Sequence, residues 1–231
     1  LEGVMLSGLS FNSPHIPSIK NASLIKTPYV QSSQLEECKQ IFPDVDCVEE
    51  IKTITIQVNE QDDILATLGN MGYRRNDVRS VVVTGILSAN DLTDLFALPN
   101  LYYADLSNAK TTSSRLVLSG TKLCEVKLPK GNYYLSMTKN DYLIGNLVIP
   151  EGVNGLSYNG NRHTSVVCPS TLMKLDDSSF GRIIHEADFS ACKGLQEISG
   201  FYNCSNLESL LLPSSLEILS GVSGAPIKHI D

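Results

Sequence analysis

Tryptophan is absent from this 231-residue chain, and aromatic residues make up only 6% of it, so the commonest sugar-stacking platform is missing and nine tyrosines remain to serve in its place. No apolar run approaches the roughly 20 residues needed to cross a bilayer as a helix. No C-x-x-C pair exists among the six cysteines, which removes a zinc ribbon or a thioredoxin-type site. There is no excess of basic charge either. The formal net charge is −7, which argues against nucleic acid and against anionic membrane surfaces. Residues 1–77 hold 11 acids and 6 bases, so most of the acidity lies in the N-terminal third. Neither G-x-S-x-G, a P-loop nor G-x-G-x-x-G occurs. The four histidines share no metal-ligand spacing, although His163 and His185 stand one period apart and read as surface or edge residues. The composition calls for no cofactor and no metal, and it gives no support to an enzyme.

What the chain does have is a period. The pattern apolar-x-x-apolar-x-apolar falls into register seven times. The sets are Val78-Val81-Val83, Leu101-Ala104-Leu106, Leu123-Val126-Leu128, Ile144-Leu147-Ile149, His163-Val166-Cys168, Ile184-Ala187-Phe189 and Leu207-Leu210-Leu212. Their first residues are spaced by 23, 22, 21, 19, 21 and 23, and only His163 breaks the apolar rule. The last two anchors alternate with one residue between, the period of a half-buried strand. Thr84, Ser107, Pro129, Pro150, Pro169, Ser190 and Pro213 follow the sets, and a proline there costs no ladder hydrogen bond because the strand has ended. One unit alone cannot bury its apolar edge, whereas stacked units share a continuous core.

Repeats of 20–29 residues with L-x-x-L-x-L have the leucine-rich form. The segment from Cys204 through Leu207, Leu210, Leu212 and Pro213 to Leu219 closely resembles the BspA-like leucine-rich repeat, and Cys192-Lys-Gly-Leu195-Gln-Glu-Ile198 repeats its first half. Leu101 to Ser107 looks like the NLxxLDLS unit of such proteins. The resemblance covers residues 78–231. It implies an α/β chain, a right-handed leucine-rich repeat solenoid with one parallel sheet, helical returns in the first turns and irregular returns later. It also implies a bacterial surface or secreted protein engaged in adhesion. On this reading Val126, Leu128, Leu147, Ile149, Leu210 and Leu212 are buried.

Three regions are expected: 1–50, an irregular segment packed on a cap; 51–77, a strand–helix cap; and 78–231, about seven repeats with the last incomplete. Ile54, Ile56 and Val58 alternate as in a strand, Ile64, Leu65, Leu68 and Met71 have helical spacing stopped by Gly72, and Ser88-Ala-Asn-Asp91 resembles a capping box. Cys38 and Cys47 either close a small disulfide loop or remain free thiols, while Cys124, Cys168, Cys192 and Cys204 read as small hydrophobes. Asp44, Asp46, Glu49 and Glu50 read as a solvated acidic turn, with weak calcium binding as the alternative. The chain begins at Leu1 rather than Met, so its natural start is taken to have been removed, leaving room for a lipid anchor on a processed N-terminus. Ile227-Lys-His-Ile230 aligns with Leu207-Glu-Ser-Leu210, so either a partial strand caps the stack or the natural protein continues.

Function is expected on the strand faces. If the anchors point inward, Val82, Asp105, Lys127, Val148, Val167, Asp188 and Leu211 point outward, with a companion row of Ser80, Tyr103, Glu125, Asn146, Ser165, Glu186 and Ser209. Tyr103, Asp105, Glu125 and Lys127 combine an aromatic ring with both signs of charge, and they form the candidate ligand-binding set. The partner expected there is a protein or glycan, met outside the cell or at its surface. The competing readings are a structural spacer within a larger surface protein and, more remotely, an enzyme.

Overall fold

The computed structural model describes residues 4–5, 28–30, 49–50 and 53–230. The chain divides into two units, Leu1–Ile54 and Thr55–Asp231. In the first, β1 (Val4–Met5), β2 (Pro28–Val30) and β3 (Glu49–Glu50) form a short parallel ladder in which Val4 faces Pro28 and Tyr29 faces Glu49. The segment expected to be irregular therefore carries strands whose partners lie 24 and 20 residues apart, close to the period of the repeats. Cys38, Cys47, Asp44 and Asp46 lie outside the described residues.

The second unit is a β-solenoid of parallel sheets. β4 (Thr53–Val58) alternates buried Ile54, Ile56 and Val58 with exposed Thr53, Thr55 and Gln57. It begins a ladder that continues through β5 (Ser80–Leu87), β6 (Tyr103–Thr111) and, after an intervening strand, β8 (Glu125–Lys127). The intervening strand, β7 (Arg115–Ser119), belongs to another sheet with β9 (Tyr133–Thr138), β11 (Val153–Asn159) and β13 (Lys174–Ser179). The later anchor sets occupy β10 (Ile144–Val148), β12 (Arg162–Val167), β14 (Glu186–Asp188) and β16 (Ser209–Leu211). β18 (His229–Ile230) pairs with β16, and β15 (Glu197–Ile198) pairs with β17 (Ile218–Leu219).

Several expectations differ from the structure. The anchor sets do not form one sheet: they form two, β4-β5-β6-β8 and β10-β12-β14-β16-β18, with the break between Leu128 and Ile149. Gly145 sits at φ +96°, where the β10–β12 register shifts within the second sheet, as Gly85 does at φ +96° in β5 of the first. The middle returns are also not irregular. They are strands, because Leu116/Leu118, Leu135/Met137 and Leu156/Tyr158 alternate inward and are buried. The last two returns carry only the two-residue strands β15 and β17. Leu128, Leu147, Ile149 and Leu210 are buried as expected, but Val126 and Leu212 are only half-buried. Ser80, assigned outward, is buried.

The first returns are helical. α1 (Ile64–Asn70) starts at Asp63, whose carboxylate accepts from Ala66 N at 2.8 Å. α2 (Ala89–Phe96) has the full capping box of Ser88 and Asp91. Buried Asp91 also accepts from Ile64 N at 3.0 Å, so one carboxylate serves the N-termini of both helices. Beyond them the turns are joined by a side-chain ladder. Asn140, fully buried, donates to Leu118 O at 3.0 Å and to Asn161 Oδ1 at 2.8 Å, and it accepts from Thr121 Oγ at 2.9 Å. Asn161 in turn donates to Met137 O at 3.0 Å. Each of these turns passes through a left-handed residue: Gly120, Lys139, Gly160, Gly181, Asn203 and Gly224, spaced by 19, 21, 21, 22 and 21. An aromatic spine fills the later core, with the rings of Tyr158 and Phe180 4.9 Å apart and those of Phe180 and Phe201 4.5 Å apart, both stacked.

Candidate functional site

Alternation along β6 buries Ala104 and Leu106 completely, which turns Tyr103 and Asp105 outward. Parallel pairing then sets Glu125 beside Tyr103 and Lys127 beside Asp105. All four expected residues are thus brought together on two neighbouring strands. Lys127 Nζ lies 2.9 Å from Asp105 Oδ2 and 5.9 Å from the centre of the Tyr103 ring. The Tyr103 hydroxyl donates to Asp105 Oδ2 at 3.3 Å, and Ser107 donates to Asp105 Oδ1 through N at 3.0 Å and through Oγ at 2.6 Å.

These contacts fix the charge states. Burial works against the Asp105 carboxylate, but hydrogen bonds from Ser107 and Lys127 outweigh it and hold Asp105 below the usual carboxylate range. The hydrogen bond to Asp105 raises Lys127, and burial raises Tyr103. Glu125 is raised, chiefly by burial, with Lys127 pulling the other way. The result is a locked ion pair of which Lys127 is 50% and Asp105 14% exposed, beside a tyrosine and a carboxylate that keep part of their surface in water. Such a surface can orient a partner, and its side chains are already held by their neighbours.

The remaining outward residues of the anchor sheets are mixed. Val148 is 64% and Val167 37% exposed and they pair side by side, whereas Leu211 and Val82 are half-buried. His163, read as a surface or edge residue, is instead buried and shares a 2.9 Å hydrogen bond between its Nδ1 and the Tyr158 hydroxyl. That partner explains how a polar ring occupies an anchor position. Burial lowers its pKa to about 4, so the ring is neutral at pH 7. His185 is exposed on the next turn. Cys168, Cys192 and Cys204 are buried, and burial pushes Cys192 up to about 12 and Cys204 up to about 11, so they pack as thiols. Among the described residues no group of three or more His, Cys, Asp or Glu is placed to hold a metal ion.

A second surface cluster escaped the sequence reading. Tyr134 lies across Gly155 on the neighbouring strand, where a β-carbon would meet its ring at 2.5 Å. Its hydroxyl donates to Asp176 Oδ2 at 3.2 Å, Lys174 pairs with the same oxygen at 3.0 Å, and the Arg115 guanidinium stands 5.6 Å from the ring centre. Nearby residues Asn132, Gly152, Asn154, Thr171, Met173 and Lys193 line a groove of about 650 Å³. The signal was present, since Arg115, Tyr134, Gly155 and Lys174 recur at 19, 21 and 19 residues. No helix among the described residues is long and apolar enough to cross a membrane. No protein-family model matches this chain, and no curated protein matches it.

Proposed function

We propose that this chain is a non-catalytic interaction module, a right-handed leucine-rich repeat solenoid of the BspA-like kind, that works outside the cell or on its surface. Its partner is a protein or a glycan, bound on the outward face of the first anchor sheet. The family reading rests on the Cys204 to Leu219 segment and on the recurring anchors, and the location follows from that resemblance. One observation carries the binding reading: Tyr103, Asp105, Glu125 and Lys127 meet on adjacent strands and stay partly exposed, with Tyr103 and Lys127 both hydrogen-bonded to Asp105. A tyrosine buries much area at small entropic cost, and neighbouring charges of both signs set a partner's orientation.

The test is a binding screen of the full chain against extracellular-matrix proteins and glycans, followed by Tyr103→Ala with Lys127→Ala. The expected outcome is a loss of affinity of about tenfold or more, equal to about 1.4 kcal/mol, with an unchanged melting midpoint. A partner that binds the double variant as tightly as the parent excludes this face as its site.

A further inference from the structure

The corner between the return strands and the anchor strands gathers positive charge on successive turns. Gly120, Lys139, Gly160 and Gly181 are the left-handed residues of four consecutive turns. Lys139 N donates to Asn159 O at 2.9 Å, and Thr121 Oγ donates to Asn140 Oδ1 at 2.9 Å, so these turns stack directly on one another. Lys122, Lys139, Arg162 and Arg182 project from this corner, one from each turn, and all four are exposed. None of them has an ion-pair partner among the described residues, whose ion pairs are Arg74–Asp77, Lys127–Asp105, Lys174–Asp176 and Lys228–Glu208. Asp141 follows Asn140 as Lys122 follows Thr121 and Arg162 follows Asn161, so a carboxylate holds that position on the second turn, with Lys139 two residues before it. The same corner exposes Tyr142 by 53% and Tyr202 by 67%, on the turns flanking Arg162 and Arg182. Four exposed cations on successive turns, without an ion-pair partner among the described residues, are conspicuous in a chain of net charge −7.

We infer that this corner is a second binding surface, for an anionic polysaccharide. Neighbouring strands lie about 4.8 Å apart, so cations on four successive turns span about 14 Å along the stack. A linear polymer bearing a sulfate or carboxylate on each sugar presents anions at a comparable interval. Tyr142 and Tyr202 offer flat apolar faces to sugar rings at either end of the arginine pair. Single-stranded nucleic acid fits less well, because successive bases need adjacent stacking platforms and these two rings stand three turns, about 14 Å, apart. An extended acidic peptide repeats its side chains on one face at about 6.6 Å, out of step with the turns. This surface does not depend on the sheet site at Tyr103 to Lys127, and either can fail without the other.

The experiment measures binding of the full chain to heparin, with neutral dextran, polyuridylate and polyglutamate alongside, over a range of salt. The test variant combines Lys122→Gln, Lys139→Asn, Arg162→Gln and Arg182→Gln, asparagine being chosen because it tolerates the left-handed backbone. Heparin is expected to bind the parent with an affinity that falls as salt rises, and the variant is expected to bind at least about tenfold more weakly with a shallower salt slope. Lys174→Gln with Lys193→Gln, away from the corner, should leave both quantities as they are. Tyr142→Ser with Tyr202→Ser should weaken binding while leaving the salt slope unchanged. Should the fourfold variant melt early, the separate changes Arg162→Gln and Arg182→Gln carry the test. The inference is overturned if heparin does not bind, if the corner variants bind it like the parent, or if dextran, polyuridylate or polyglutamate binds more tightly. Salt-sensitive self-association abolished by the same changes overturns it too, because the corner then serves the chain's own acidic residues.

Discussion

Turns near the start of the solenoid return through helices, and later turns return through strands, although the anchors on the opposite side keep the same spacing. The difference lies in how each return is held. α1 and α2 are held by capping at Asp63, Ser88 and Asp91, with Leu68, Leu92 and Leu95 facing the core. The strand returns are held from turn to turn, by backbone pairing, by the Thr121–Asn140–Asn161 ladder and by the Tyr158–Phe180–Phe201 spine. A helix satisfies its backbone within one turn, so it depends less on its neighbours. A strand leaves its N–H and C=O groups for the adjoining turn, so a local defect there reaches further.

That contrast can be broken most sharply in the spine. Phe201→Ala should cost about 3–5 kcal/mol, since it empties a fully buried site between Phe180 and Phe189. Urea unfolding of this variant should also show a broadened transition, as pairing is lost on both sides of the cavity. A cost no greater than that of removing a helix cap would mean that the spine adds little.

Acid should act on the same half of the molecule. The folded pKa of His163 is about 4, below its ordinary 6.5, so the unfolded chain binds the extra proton first. The stability that the neutral ring contributes is complete above pH 6.5 and falls as pH drops from there toward 4, by roughly 3 kcal/mol in all. His163→Gln should flatten that part of the stability profile. Equal slopes for parent and variant between pH 6.5 and 4.5 would contradict the assignment.

The side-chain ladder gives a smaller effect. Asn140→Ala leaves Leu118 O and the groups of Thr121 and Asn161 without their buried partner and should cost about 2–3 kcal/mol. Ser88→Ala should cost about 1 kcal/mol, the usual value of an N-cap. Reversal of that order, read from chemical denaturation, would place the stronger fastening in the helical turns. At the surface, Glu208→Ala should leave the melting midpoint unchanged, because its pair with Lys228 is exposed on both sides.

The stack was legible in the sequence because each turn repeats one constraint, two inward residues separated by one outward residue. The helical returns were legible for a similar reason, with Gly72 and the Ser88–Asp91 box marking their ends. The strand returns alternate as well, at Leu116/Leu118, Leu135/Met137 and Leu156/Tyr158, but they lie outside the L-x-x-L-x-L frame that marks the anchors. The break between the two anchor sheets left no mark on the apolar pattern, which runs through both with nearly the same spacing. At the candidate site, the 22-residue separations of Tyr103 from Glu125 and of Asp105 from Lys127 made their meeting predictable. The locking of Asp105 by Ser107 was not, because it depends on side-chain geometry within one strand. His163 stood out in the sequence as an error in the pattern, and its explanation, Tyr158, lies only five residues away.

Pairing only between adjacent turns has a mechanical consequence. Strand partners in the solenoid lie about one repeat apart in sequence, as with Val166, Ala187 and Leu210. A force applied along the stack therefore bears on one interface at a time, and an outer turn can peel away while the rest stays paired. Pulling on this protein should release chain in steps of about one repeat each, and on relaxation the turns should rewind on the remaining stack as a template.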